Sequence, residues 1–371
     1  MVKSKSCCEQ RKIVEEIRLF CLGWTRIDME ELNMTYEELM KNSREIMGTK
    51  LCKSCLICDG KACRNTMPGP GAKGIGDVAI RNYESWKKIR VNMDTITDNV
   101  EVDTSLDLFG KTFKYPIFAG PVGAVNMHYG DAYNDESYND ILVRGCLEAG
   151  ICAFTGDGMN PDIMKNATRI IKENEGNGIP TIKPWSMETY LEKLDLAISS
   201  NAFAVAMDVD AAGLPFLKKA VPQAGRMNTE QLKAIISKTP VPFIVKGIMS
   251  VKGALKAKEA GASAIIVSNH GGRVLDQCLA TAEVLEEIVQ VVDGSMKILV
   301  DGGIRSGVDI FKALALGADG VVVARPFVNA LYGGKEEGIQ LLSEKLGTEL
   351  KDTMEMCGAK DLNGITRDMV R

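Results

Sequence analysis

The sequence predicts an α/β protein: a closed (β/α)8 barrel of the TIM type, carrying an N-terminal helical and Cys-rich extension. Three observations predict it. Eight short apolar runs, rich in β-branched residues, recur between residues 115 and 325. Helical stretches separate them, and several of these end in the Ala-Gly or Leu-Gly pairs that stop helices, as in EAGI, EAGA and ALGA. Polar residues then concentrate where the runs end: Thr155, Lys183, Asp208, Lys246, Ser268, Asn269, His270, Asp301 and Arg325. Buried strands alternating with helices make a parallel sheet, and eight is the number that closes one into a barrel. Barrel chemistry sits at the C-terminal strand ends, where this polar ring falls. A doubly wound open sheet is the runner-up.

Taken in order, Glu9 to Trp24 repeats apolar residues at helical spacing (Ile13, Ile17, Phe20, Cys21). Thr35-Tyr-Glu-Glu38 fits a capping box that opens a second helix. Residues 51–76 hold four cysteines and the stretch MPGPGAKGIG, whose glycines and prolines predict loop. The strands are expected at 115–121, 151–156, 179–185, 202–210, 241–247, 263–270, 297–303 and 320–325. This divides the chain into an extension, residues 1–80, and a barrel, residues 81–371.

Composition narrows the function. The chain is 45% hydrophobic with a net charge of −4, and its charges are interspersed. No basic stripe with interleaved aromatics marks it for nucleic acid, and no apolar run reaches the ~20 residues a membrane-spanning helix needs. The first twenty residues place charges where a signal peptide would be apolar, so a cytoplasmic location is expected. The eleven cysteines then read as thiols or metal ligands. Only two histidines exist, His128 and His270, which limits the choice of general base. His128, in NMHYGD after the first strand, reads as a loop histidine first, with a position facing the pocket as the alternative.

SNHGGR (268–273) puts a base, His270, beside Arg273, a side chain that pairs with carboxylates through two parallel bonds. DGGIRSG (301–307) offers backbone N–H groups and Arg305 at a helix start, and Ala324-Arg325 adds a second cation, a combination suited to phosphate. Lys246, in FIVKG, would stabilise negative charge on a reduced cofactor. Asp208 would orient His270 and favour its protonated form. Gly69-Pro-Gly-Ala-Lys-Gly74 spells GxGxxG, yet it follows the cysteine segment and not a strand, so it does not read as a dinucleotide site.

Residues 80–371 resemble the FMN-dependent 2-hydroxy-acid dehydrogenase and oxidase family, which includes glycolate and lactate oxidases. The segments that carry the resemblance are IVKG, IIVSNHGGRVLD, LVDGGIRSGVDIFKALALGADGVVVARP and TMEMCGAKDLNGI. It implies FMN as cofactor and oxidation of a 2-hydroxy acid to the 2-oxo acid. His270 would take the hydroxyl proton as hydride passes to flavin N5, with Arg273 on the substrate carboxylate. Asp208 would stabilise the imidazolium and Lys246 would lie by the flavin N1–C2 carbonyl. Pro121, Val122, Gly123 and Thr155 would contact the isoalloxazine ring, and Lys183 stands where glutamine is usual. Asp301, Gly302, Gly303, Arg305, Ala324 and Arg325 would bind the ribityl phosphate; Ser268 joins the cofactor set. The resemblance also implies a homotetramer, and leaves the hydroxy acid and the electron acceptor unspecified.

The departures lie on the substrate side. Trp185 occupies the place of a substrate-touching tyrosine. The stretch after Asp208, AAGLPFLKK, lacks a second carboxylate-binding arginine, for which Lys218 or Lys219 would have to substitute. Cys52, Cys55, Cys58 and Cys63 form C-x2-C-x2-C-x4-C in the segment that should cover the substrate. That spacing is open to an iron–sulfur cluster, a structural zinc site or reduced thiols in a lid. Two other functions compete: an FMN-dependent isomerase like type 2 isopentenyl diphosphate isomerase, and a non-catalytic flavin or metal redox carrier. The isomerase has no use for the arginine of SNHGGR, and a carrier has none for a general base.

Overall fold

The computed structural model describes residues 34–219, 221 and 224–371. The helix expected over residues 9–24 and the cysteines at 7, 8 and 21 lie outside the described residues.

Eight parallel strands close into a barrel: β3 (Ile117–Ala119), β4 (Cys152–Thr155), β5 (Ile179–Ile182), β6 (Val205–Asp208), β7 (Phe243–Ile248), β8 (Ala264–Val267), β9 (Lys297–Asp301) and β10 (Gly320–Val323). Each expected apolar run carries one strand, shorter than the run, and only β7 passes the expected end, by one residue at Ile248. The polar residues at the end of most runs leave the ladder to form the mouth. The barrel closes where β10 pairs with β3. Helices cover the outside, including α5 (Pro161–Glu173), α8 (Val251–Ala260), α9 (Thr281–Val292) and α10 (Gly307–Ala315). No helix among the described residues is long and apolar enough to cross a membrane.

The interior and the outer layer form two separate cores. Inside, Phe118, Phe154, Ile179, Ile244, Ile266, Leu299 and Val322 fill the barrel axis. A hairpin, β1 (Leu106–Leu108) paired with β2 (Lys111–Phe113), inserts Leu106, Leu108 and Phe113 into this same cluster. Phe113 meets Phe118 edge-on at 5.3 Å, and Phe118 meets Phe154 at 5.9 Å. Such pairs contribute roughly 0.5–1.5 kcal/mol beyond their area. The hairpin thus plugs the N-terminal end of the barrel and leaves only the C-terminal mouth for a ligand.

The extension packs on the barrel through two helices. α1 (Tyr36–Met47) begins with the capping box expected at Thr35: its side chain accepts from Glu38 N–H, and Glu38 reaches back to Thr35. α1 lies on α11 (Arg325–Cys357), a helix broken at Lys335. Just before the break the two helices approach so closely that only glycine fits: a Cβ on Gly333 would stand 2.1 Å from the Leu39 carbonyl oxygen. α2 (Asp77–Lys88) crosses the 80/81 boundary and docks beside the loops after β8 and β9.

Candidate active site

At the C-terminal mouth lies a cleft of about 1160 Å³, open mouth included. Its walls hold Pro121, Val122, Gly123, Lys183, Asp208, Lys246, His270, Arg273, Asp301, Gly302, Gly303, Arg305, Ala324 and Arg325. The sequence-predicted residues are therefore brought together, with four exceptions. Thr155, Ser268 and Asn269 are buried outside the cleft wall, and so is Trp185, whose indole N–H donates to Asp157 Oδ2 at 2.6 Å. The expected substrate contact by Trp185 is not made, because Asp157 has claimed its polar end. Lys218 and Lys219 are exposed and lie outside the cleft, so neither supplies the missing charge.

The loops after β8 and β9 are fixed by α2. Asn82 and Asn269 exchange amide hydrogen bonds at 2.8 and 2.9 Å, and Trp86 donates to the Gly302 carbonyl at 2.8 Å. Gly302 and Gly303 have left-handed φ of +90° and +83°, and a Cβ on Gly303 would lie 2.2 Å from the Asn82 carbonyl oxygen. His270 itself has φ +55°, a conformation that costs a non-glycine residue energy and persists only where the surroundings impose it. The imposed backbone aims the imidazole at the cleft.

Its partner corrects the sequence reading. Nδ1 of His270 lies 3.0 Å from Oδ1 of Asp210, not of Asp208. Asp208 pairs instead with Lys183, Oδ2 to Nζ, at 3.2 Å. The reason is local: Asp208 is the last ladder residue of β6, whereas Asp210 stands in the 3-10 turn Val209–Gly213, which carries it to the His270 ring. With Nδ1–H donated to Asp210, Nε2 keeps its lone pair.

Burial and then the Lys246 cation hold the His270 pKa well below the usual imidazole value, despite the opposing pull of Asp208. Burial pushes the Asp210 carboxyl up. Lys246 donates to Ser268 Oγ at 3.0 Å and pairs with Asp301 at 3.4 Å. Burial works against its charge, but Asp301, Asp210 and Asp208 outweigh it and raise its pKa.

Three arginines reach the cleft, and among the described residues none has a carboxylate within ion-pair distance. Arg273 donates to the Gly69 carbonyl and Arg325 to the Pro70 carbonyl at 3.4 Å. Arg305 donates to the Cys58 carbonyl at 2.7 Å. The MPGPG segment, whose composition predicts no more than a loop, therefore spans the mouth. His128 takes the alternative position: it is not in an outer loop but lines the cleft, next to Arg273, on the short helix Val125–Tyr129. Tyr129 also lines it, and no sequence signal singled that residue out.

The four cysteines of residues 52–63 are not assembled into a ligand set. Among the described residues no three of their sulfurs lie within 4.8 Å of one another; the single group meeting that distance is Asp208, Asp210 and His270. Cys52 turns its thiol to Asn329, and Cys58 lies 3.7 Å from Arg305 Nη2. Burial raises the Cys58 thiol, yet Arg305 and Arg325 together hold it below the usual value. Cys58 and Cys63 thus lie against Arg305 and Arg325, while Cys52 faces Asn329.

Both histidines are kept neutral, since burial pushes His128 down to about 3 as well. Below the ordinary value of 6.5 the unfolded chain binds protons at these sites that the folded chain does not. Stability is therefore complete above that pH and falls as the pH drops below it, by at most about 1.4 kcal/mol per pH unit for each group. Thermal melts followed by circular dichroism should show a falling midpoint from roughly pH 7 to roughly pH 5. The fall should be shallower in H128N, and a pH-independent wild-type midpoint would contradict neutral burial.

A cofactor with a phosphate and a polar ring fits this mouth. Thr181 Oγ1, Asp208 Oδ1 and Asp301 Oδ1, on residues that line the cleft, are buried without a hydrogen-bond partner among the described residues.

Comparison with known proteins agrees. The family model for FMN-dependent dehydrogenase matches residues 70–220 and 217–371. The chain is 50% identical over 133 residues to the peroxisomal (S)-2-hydroxyacid oxidase GLO3 of Arabidopsis thaliana, a match to 36% of this chain and 37% of that protein. It is 28% identical over 346 residues to 4-hydroxymandelate oxidase of Amycolatopsis orientalis, covering 83% of this chain and 95% of that one. A crystal structure of mandelate oxidase superposes with a TM-score of 0.72 at 25% identity, covering 91% and 97% of the two chains. Another, solved with an FMN adduct, has a TM-score of 0.68 at 28% identity, with 81% and 93% covered. As the two family segments together run through most of the sequence, from the loop over the arginines to the C-terminal residue, the chain belongs to the family of FMN-dependent dehydrogenases.

Proposed function

We propose that this protein oxidises a 2-hydroxy acid to the 2-oxo acid with FMN as the hydride acceptor. The observation that carries the reading is a neutral imidazole, oriented by a carboxylate, between arginines that lack carboxylate partners among the described residues. Arg305 and Arg325, with the backbone of Gly302 and Gly303, would hold the FMN phosphate. Pro121, Val122 and Gly123 would back the ring, with Lys246 and Lys183 along its polar edge. Bound FMN supplies the electron sink that receives the hydride from C2.

The chain's own groups manage the proton and the carboxylate. Nε2 of His270 takes the hydroxyl proton, and the C2–O bond becomes a carbonyl. Asp210 then faces an imidazolium across 3.0 Å, which stabilises the charge as it forms. Arg273 pairs with the carboxylate and sets C2 in place. Met127, Met159, Leu214 and Phe216 line the remaining wall, which supports an apolar group on C2 larger than that of glycolate. The relatives and solved neighbours are named as hydroxy-acid oxidases, which does not favour the isomerase. The proposal keeps the cytoplasmic location and the homotetramer expected from the sequence.

An anaerobic visible spectrum of the FMN-loaded protein, recorded against glycolate, lactate, 2-hydroxyisocaproate and mandelate, tests the reading. At least one acid should bleach the flavin, with an acid bearing an apolar side group acting fastest. Bleaching by none of them would sink it. Admitting air to the reduced sample then reports on the acceptor: rapid return of colour means oxygen serves, and persistence of the reduced form means another acceptor is needed.

A further inference from the structure

We propose that His128 is the second carboxylate donor of the substrate site, its Nε2–H acting beside Arg273; this rests on the 2-hydroxy-acid reading above. His128 is buried, 5% exposed, and still lines the cleft. Its tautomer follows from its neighbours. The backbone N–H of Gly69 donates to Nδ1 at 3.1 Å, which requires a lone pair there. A neutral imidazole has one such nitrogen, so the proton is on Nε2. Burial, Arg273 and Lys183 all oppose a second proton.

Arg273 Nη2 lies 3.2 Å from this Nε2 and 3.4 Å from Nδ1, whose lone pair already accepts from Gly69. An arginine cannot donate to a nitrogen that already carries hydrogen, so at Nε2 two donors face each other. Each is left short of a partner among the described residues: Arg273 lacks a carboxylate, and no carbonyl accepts from His128 Nε2–H. Buried donors without acceptors cost free energy, and a carboxylate brings two oxygens that satisfy both at once. The ring is held for this task by Gly69 on one side and by Phe216, whose centroid lies 5.7 Å away, on another. A neutral donor also adds a hydrogen bond without a second positive charge. The clamp therefore suits one carboxylate and gives no advantage to a dicarboxylate.

The test is the affinity of FMN-loaded protein for pyruvate or phenylpyruvate, read as a shift of the flavin spectrum, beside KM and kcat for the acid that bleaches the flavin. Two variants separate chemistry from packing. His128→Phe keeps a ring and loses the donor; it should weaken oxo-acid binding and raise KM by about 10- to 100-fold, as loss of a hydrogen bond to a charged group does. His128→Asn can accept from Gly69 through its carbonyl and donate through its amide, and should stay within a few-fold of wild type. The H128F penalty should also shrink when the 2-oxo acid is replaced by its methyl ester.

If H128F binds the oxo acid as tightly as wild type while R273K does not, the inference is overturned and the hydroxy-acid reading stands. It is overturned equally if H128N loses as much affinity as H128F. If no hydroxy acid reduces wild-type flavin, it is the reading beneath the inference that has failed.

Discussion

Replacing His270 by alanine is expected to lower the rate of flavin reduction by the substrate acid by about 10²- to 10⁴-fold, the range that a positioned base contributes. Binding of FMN should survive, because the arginines that would hold it are untouched. Anaerobic stopped-flow bleaching measures this directly, with the flavin spectrum confirming occupancy. The geometry makes a sharper comparison between two neighbouring carboxylates. D210N removes the charge 3.0 Å from Nδ1 and should cost nearly as much as losing the base, since an amide no longer favours the imidazolium. D208N leaves that contact intact and breaks the pair with Lys183, so its effect on the proton-transfer step should be much smaller. Equal losses in the two variants would show that Asp210 has no special part. The pH profile adds a sign. Because burial and Lys246 hold His270 neutral well below the usual imidazole range, the acid limb of kcat/KM should fall below pH 6.5. A limb near neutrality would mean that the base is not held as the structure holds it.

The second large effect concerns the cofactor. R325A should weaken FMN binding by roughly 30- to 150-fold, the equivalent of about 2–3 kcal/mol for a charge-assisted contact to phosphate. Arg325 lies against Gly271 and Pro70 in the wall of the cleft, with no carboxylate beside it among the described residues to share its charge. Titration of apoprotein with FMN, followed by quenching of flavin fluorescence, gives the constant. R273A is the control, since its guanidinium belongs to the substrate end and its loss should spare FMN affinity. Unchanged FMN binding by R325A would sink the assignment of that corner to phosphate.

What could be read from the sequence follows from what each signal depends on. Strand positions were legible because buried parallel strands are short runs of apolar residues, whatever their neighbours. The ring of polar strand ends was legible for the same reason, as chemistry must begin where the apolar run stops. The choice between Asp208 and Asp210 was not. It turns on whether the chain leaves β6 as extended backbone or as a 3-10 turn, and MDVDAAG suits either. The pocket-facing reading of His128 ranked second because the helix that carries it has only five residues, too few for periodicity to show. The hairpin at 106–113 was missed because its apolar residues belong to a core built by strands far along the chain. The cysteine spacing looked like a ligand set, but spacing alone does not make four sulfurs converge.

The hairpin that plugs the base of the barrel has a kinetic side. A barrel sealed at one end has a single doorway, and the candidate site lies inside it. On the proposed reading, the acid, the oxo acid and the later electron acceptor would use it in turn, so the catalytic cycle would divide into two visits, one that loads electrons and one that unloads them.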